Sequence, residues 1–112
     1  MLDAMTEQTP DGKATIALAG SLTLGPSLSD LDAQIRHLVE GNVRELTLNL
    51  GGIDYADSRG LGLIVQAHGL LKARDGSLRL TGVRPRVMEL LRLTAVDTVI
   101  AIDLHPTLPP QE

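Results

Sequence analysis

A serine hydroxyl with a carboxylate directly before it, in Asp57-Ser58-Arg59-Gly60-Leu61-Gly62, is where side chains able to do chemistry stand together in this chain. Upstream, Leu46, Leu48 and Leu50 alternate with Glu45, Thr47 and Asn49, the period-two pattern of a strand. Gly51-Gly52 reads as the end of that pattern, with residues 53–56 as a bridge. Downstream, Leu63, Ile64, Ala67, Leu70 and Leu71 recur at helical spacing. The Asp-Ser pair therefore falls where a helix begins, and either Asp57 or Ser58 can serve as its N-cap, offering an oxygen to an unpaired first-turn N–H. Free N–H groups and the macrodipole make the same place tolerant of added negative charge. A serine there can be a simple cap, or it can carry a phosphate as a switch.

Other chemistries fit less well. A nucleophile elbow needs glycine two residues before its serine, and Ala56 stands there. A general base would have to come from His37 in the first helix, His68 within the second or His105 near the end, and each reads as an ordinary surface or boundary histidine. The chain is therefore read as a non-enzyme. Asp54 and Asp57 have no histidine or further carboxylate clustered with them, and Asp30 and Asp32 read as the acidic first turn of a helix, so no metal is expected. Gly51-Gly52 and Gly60-x-Gly62 match neither the P-loop nor the dinucleotide fingerprint, and no cofactor is expected.

The elements that must position Ser58 follow from the pattern on either side. Pro10-Asp11-Gly12 is a turn signal, and with apolar alternation at Ala14, Ile16 and Leu18 the first twenty residues read as a hairpin. Residues 27–40 form the best helix: Leu28, Leu31, Ile35, Leu38 and Val39 share a face, Pro26 lies at the start and Gly41 suits the end. A strand over 44–50, a second helix over about 59–73, an Asp75-Gly76 turn and a strand through Leu78 and Leu80 come next. Pro85 opens a third helix with Val87, Leu90 and Leu91, and residues 99–102 give a last strand. Arg84, Arg86 and Arg92 read as a solvated helix face. The pattern predicts one α/β domain over residues 1–104, a mixed four- to five-stranded sheet with helices packed on it, and a loose proline-containing tail over 105–112.

Composition limits the function classes. The 112 residues are 43% hydrophobic with one Tyr and no Phe or Trp, so Leu, Ile, Val and Ala must build the core. A net charge of -4 and scarce aromatics argue against nucleic acid, which asks for basic patches and stacking platforms. The absence of cysteine fits a cytosolic protein. Asp3 and Glu7 interrupt any secretory signal, and residues 14–29, the longest uncharged stretch, are too short and too broken by Gly20, Gly25 and Pro26 to span a bilayer.

Within the second helix, apolar side chains cover most of the circumference and leave a stripe of Arg59, Gly62, Gln66, Gly69 and Ala73. Each interior glycine costs roughly 1 kcal/mol relative to alanine. Close approach of a partner, or packing against another element of the same domain, would each offset that cost.

Leu48-Asn49-Leu50, the bridge, Asp57-Ser58-x-Gly60-Leu61-Gly62, Gly76 and Leu78-x-Leu80 together resemble the STAS domain family, most closely its stand-alone members, the bacterial anti-sigma factor antagonists. The likeness runs from Leu18-Ala19-Gly20-Ser21-Leu22 to Leu91-x-Leu93-Thr94 and the strand at 99–102. It implies a single STAS-type domain in the cytoplasm, acting in a bacterial stress response. The unphosphorylated form would bind a GHKL-type serine kinase that doubles as an anti-sigma factor and so release the sigma factor. Phosphorylation of Ser58 would end binding, and a PP2C-type phosphatase would reset it. The resemblance places docking on Asp57, Ser58, Arg59, Gly60, Leu61, Gly62, Gln66 and Gly69. A different STAS role, a constitutively binding accessory subunit of a lipid-transport ABC system or of a stress-signalling assembly, is the alternative. Three departures stand out: Thr23 replaces an aspartate that the family often has near the switch serine, Arg59 replaces the usual Ser or Thr after it, and the tail lacks the pattern of a final helix.

Overall fold

Alternating apolar residues and turn chemistry set up the first hairpin, and three strand–helix–strand units follow it. The computed structural model describes residues 2–102. Strands β1 (Leu2–Gln8), β2 (Lys13–Leu22), β3 (Glu45–Ala56), β4 (Ser77–Thr81) and β5 (Ala101–Ile102) alternate, after the hairpin, with helices α1 (Pro26–Glu40), α2 (Ser58–Lys72) and α3 (Pro85–Leu93). A 3-10 turn, Val96–Thr98, precedes β5. The five strands form one sheet in chain order. β1 pairs antiparallel with β2, and the remaining pairs are parallel. This is the mixed α/β domain expected, with five strands. His105 and the tail expected over 105–112, like the domain boundary at 104, lie outside the described residues.

One face of the sheet carries the core. Ile16 and Leu18 of β2, Leu46, Leu48 and Leu50 of β3, and Leu78 and Leu80 of β4 are buried, while Thr15, Ala17, Glu45 and Arg79 of the opposite face are exposed. Leu31 and Ile35 of α1, Ile64 and Leu71 of α2, and Val87 and Leu91 of α3 complete the same cluster. Each such aliphatic side chain contributes about 1.5–3 kcal/mol on burial. Ile64 and Leu71 are fully buried, which fixes the rotation of α2 and hence which of its residues face water.

The largest departure from the sequence pattern is in β3. The strand does not stop at Gly51-Gly52 but continues to Ala56. Against β2 its register slips twice, from Ala17↔Asn49 to Ala19↔Gly52 and from Gly20↔Ile53 to Ser21↔Tyr55. Each slip inserts one extra β3 residue, a β-bulge, and each reverses which face the following side chains take. Burial accordingly passes from Leu50 to Ile53 and then to Ala56, in steps of three. The Asn49 side-chain oxygen accepts from the Gly51 N–H at 2.9 Å, and Arg84 Nε donates to the Gly51 carbonyl at 2.7 Å. Arg84 thus precedes α3 as its N-cap and braces β3, and Arg86 lies 5.9 Å from the centroid of the Tyr55 ring. These two arginines are engaged with β3, where the sequence pattern predicts a solvated helix face.

Smaller corrections concern helix ends. The first turn of α1 holds no acidic residue: Asp30 and Asp32 lie beyond it, and Asp32 accepts from Arg36 Nε at 3.0 Å, one helical turn on. Gly41 does close α1, with φ near -76°, so its end does not use the left-handed cap that favours glycine. The final strand is confined to Ala101–Ile102.

Candidate functional site

The β3–α2 junction resolves which residue caps the helix. Asp57 is extended, with φ -104° and ψ -176°, and is the N-cap. One of its carboxylate oxygens accepts from the Gly60 N–H at 2.9 Å. The other accepts from the Leu24 N–H at 3.1 Å, across the fold on the β2–α1 connection. Its own N–H donates to the Leu22 carbonyl at 3.0 Å. The Gly60 and Leu24 amides, in that order of strength, hold the Asp57 carboxyl below the usual carboxylate range. Asp57 is therefore a clamp between the end of β2 and the start of α2, with both oxygens committed.

Ser58 is the first residue of α2 and is exposed. Two residues on, Gly60 is buried, because a Cβ there would sit 2.1 Å from the Leu22 carbonyl oxygen. Only glycine lets the first turn of α2 lie this close to β2. Leu61 is 8% exposed and points into the core. Gly60 and Leu61, which the sequence reading placed on the docking surface, thus face inward and present no side chain to a partner; their part is to seat the turn that carries Ser58.

The stripe of α2 faces water as expected: Arg59, Gly62, Gln66, Gly69 and Ala73 are all exposed. A Cβ at Gly62 or Gly69 would meet nothing within 4 Å. Packing within the domain, one of the two reasons considered for these glycines, is thereby removed. Ser58, Arg59, Gly62 and Gln66 line a surface groove of about 670 Å³, and Gly69 continues the same stripe beyond it.

The opposite wall of the groove was not anticipated. It is built by Leu24, Leu28, Ser29 and Asp32, and Val65 joins from the α2 side. Leu24 is 65% and Val65 44% exposed. A signal for Leu24 was present in the chain. A hydrophobic residue just before a helix N-cap commonly packs on the fourth helical residue, and that residue here is Ser29, so the leucine is left without its usual cover.

Neither histidine among the described residues is placed to activate Ser58. His68 lies ten residues further along α2, about 15 Å by the helical rise. Among the described residues its buried Nδ1 has no hydrogen-bond partner. His37 is exposed in the last turn of α1. No group of three or more His, Asp or Glu comes together among the described residues, and no helix there is long and apolar enough to cross a membrane.

A family profile described as "Mlab, STAS domain" matches residues 5–104. Among solved structures, the chain is similar to the anti-sigma factor antagonist SpoIIAA in its unphosphorylated form, at 19% identity over 92% of this chain and 89% of that one, with a TM-score of 0.76. The phosphorylated form of the Bacillus cell fate determinant SpoIIAA gives 19% identity over 92% and 93%, with a TM-score of 0.74. An anti-sigma factor antagonist from Mycobacterium paratuberculosis gives 17% identity over 94% and 87%, with a TM-score of 0.78. At these identities the likeness is one of fold.

Proposed function

The chain belongs to the STAS domain family, and on that premise we propose that it is an anti-sigma factor antagonist, a binding protein with no chemistry of its own, switched by phosphorylation of Ser58. The observation that carries the reading is the position of Ser58: exposed, first in α2, directly behind the Asp57 clamp and on the wall of the groove. A phosphate there meets the free end of a helix, where negative charge is favoured, and stays accessible to a kinase and a phosphatase. A relative of the same fold is known in unphosphorylated and phosphorylated forms, which supports carrying the switch over to this chain.

In this reading the unphosphorylated domain docks in the cytoplasm on a GHKL-type serine kinase that acts as an anti-sigma factor, and the sigma factor is released. Docking uses the exposed Ser58, Arg59, Gly62, Gln66 and Gly69. The kinase, with its own ATP, phosphorylates Ser58, and a PP2C-type phosphatase removes the group. Phosphorylation adds about -1.5 to -2 charges. On the free domain the helix start accommodates them. In the complex they are pressed against a surface fitted to a neutral hydroxyl, and a desolvation cost of about 3 kcal/mol weakens binding roughly a hundredfold.

Titration calorimetry of Ser58→Ala, Ser58→Asp and phospho-Ser58 protein against a purified kinase of this class is the test. Ser58→Ala should bind like the unmodified protein, and the other two far more weakly. Equal or tighter binding by the phosphorylated form would overturn the reading. The matching family profile carries the name Mlab and not that of an antagonist, which favours, as a second reading, a constitutively binding accessory subunit of a lipid-transport ABC system or other larger assembly. That subunit would use the same surface but carry no phosphate on Ser58 in the cell.

A further inference from the structure

Resting on the docking reading above, we propose that Leu24 is a second anchor of the docking surface and that Asp57 is the positioning residue that holds it there. Leu24 is 65% exposed, on a connection only three residues long between β2 and α1. It is not loose. Its backbone N–H is held by Asp57 at 3.1 Å, and the residue two before it is pinned to the same aspartate through the Leu22 carbonyl at 3.0 Å. The first turn of α2 rests on Leu22 at Gly60, where a Cβ has no room. Leu24 and Ser58 are therefore fixed to one turn of backbone, on opposite walls of one groove.

The occupant that fits is a helix of the kinase partner with an apolar seam. Gly62 and Gly69 stand seven residues apart on one face of α2, and a Cβ at either would meet nothing within 4 Å, so a helix running lengthwise can approach closely at both points with the Gln66 side chain between them. Leu24 from one wall and Val65 from the other would close on its apolar side chains. Charge sets its flanks. Asp32 lines the α1 wall and Arg59 the α2 wall, so the helix should carry a basic residue toward the first and an acidic one toward the second. In this arrangement Asp57 acts on the partner through Leu24, not through its own charge.

Asp57→Asn separates clamping from capping. Asparagine is as good an N-cap as aspartate and keeps the shape. With its oxygen on Gly60, its amide group turns a donor toward the Leu24 N–H, and that bond is lost. Wild type, Leu24→Ala, Asp57→Asn and the double variant are titrated by calorimetry against a purified GHKL-type serine kinase selected for binding the wild-type chain. Leu24→Ala should weaken binding about 10- to 30-fold, as truncation of an apolar anchor does, with unchanged melting. Asp57→Asn should weaken it about 5- to 10-fold alone but less than about 2-fold in the Leu24→Ala background, the non-additivity of residues acting through one contact. Wild-type affinity for Leu24→Ala, or losses that simply multiply in the double variant, would overturn the proposal. Gly62→Arg runs alongside. If it binds like wild type, the docking surface itself is wrong; if it abolishes binding while the cycle is additive, only the roles of Leu24 and Asp57 fall.

Discussion

Gly60→Ala and Gly62→Ala are the same substitution two residues apart on one helix, and they should move stability in opposite directions. At Gly60 the new Cβ would lie 2.1 Å from the Leu22 carbonyl oxygen and 2.8 Å from the Leu22 carbonyl carbon and Cβ. An ordinary carbon–oxygen contact is about 3.3 Å or more, so the start of α2 must retreat from β2 by roughly 1 Å. The obstacle is backbone in a strand and cannot turn aside. That retreat strains the Asp57 N–H bond to Leu22 and the cap on Gly60, each contributing about 1 kcal/mol. Overpacking adds about 1–3 kcal/mol, and alanine's better helix propensity returns about 1. The net is a loss of about 3 kcal/mol, a melting temperature lower by about 12–24 °C for a domain of this size. At Gly62 the new methyl meets nothing within 4 Å, so propensity alone acts, a gain of about 1 kcal/mol or about 4–8 °C. Thermal and urea denaturation followed by backbone circular dichroism measure both. A Gly60→Ala protein melting within about 2 °C of wild type would refute the close approach on which the site geometry rests, and a Gly62→Ala protein melting lower would refute the open space on the stripe.

Gly69→Arg places bulk on the exposed stripe, away from the core, so binding to the kinase should fall by at least about tenfold while the melting temperature stays at or above that of wild type; undiminished affinity would move the interface off this part of α2. Ser58 should be the single acceptor when kinase and ATP are supplied, with Ser21, Ser27, Ser29 and Ser77 as internal controls, and stoichiometric phosphate on any of these in Ser58→Ala protein would refute the assignment. The Asp57 clamp has a pH signature. Because its folded carboxyl is held below the ordinary value, its contribution is complete above the ordinary carboxylate pKa near 4 and is lost as pH falls through the lowered folded value. The difference in urea midpoint between wild type and Asp57→Asn should therefore be constant near neutrality and shrink in acid, and a difference that grows on acidification would show that the carboxylate is not the stabilising form.

The hairpin was legible through its turn residues and the alternation along β2, and the three helices, the first half of β3 and β4 because each buries one face with apolar residues at a regular period. The second half of β3 was not, because its two bulges break the period where Gly51-Gly52 resembles a terminator. Ile53 and Ala56 look irregular until the pairing with β2 is known. Ser58 and the exposed stripe of α2 were readable from local pattern alone. The inward role of Gly60 was hidden, since a close backbone approach depends on a strand that ends 38 residues earlier in the chain than Gly60 stands. The α1 wall was hidden for the same reason: Asp32 and Leu28 reach the groove through the packing of α1 beside α2, and only Leu24, lacking its usual partner at Ser29, left a trace.

Tyr55, with Arg86 over its ring, is the one tyrosine of a chain that has no tryptophan. Every near-ultraviolet signal of this protein therefore originates at one half-exposed ring, three residues before Ser58. Loosening of the aliphatic interior is silent at those wavelengths and must be followed through the backbone. Events at the head of α2 are not: a phosphoryl group arriving on Ser58, or a partner displacing Arg86, changes the surroundings of the sole chromophore. In a titration against a partner free of aromatic residues at its contact, that ring is a built-in optical gauge of occupancy, with no contribution from the rest of the fold.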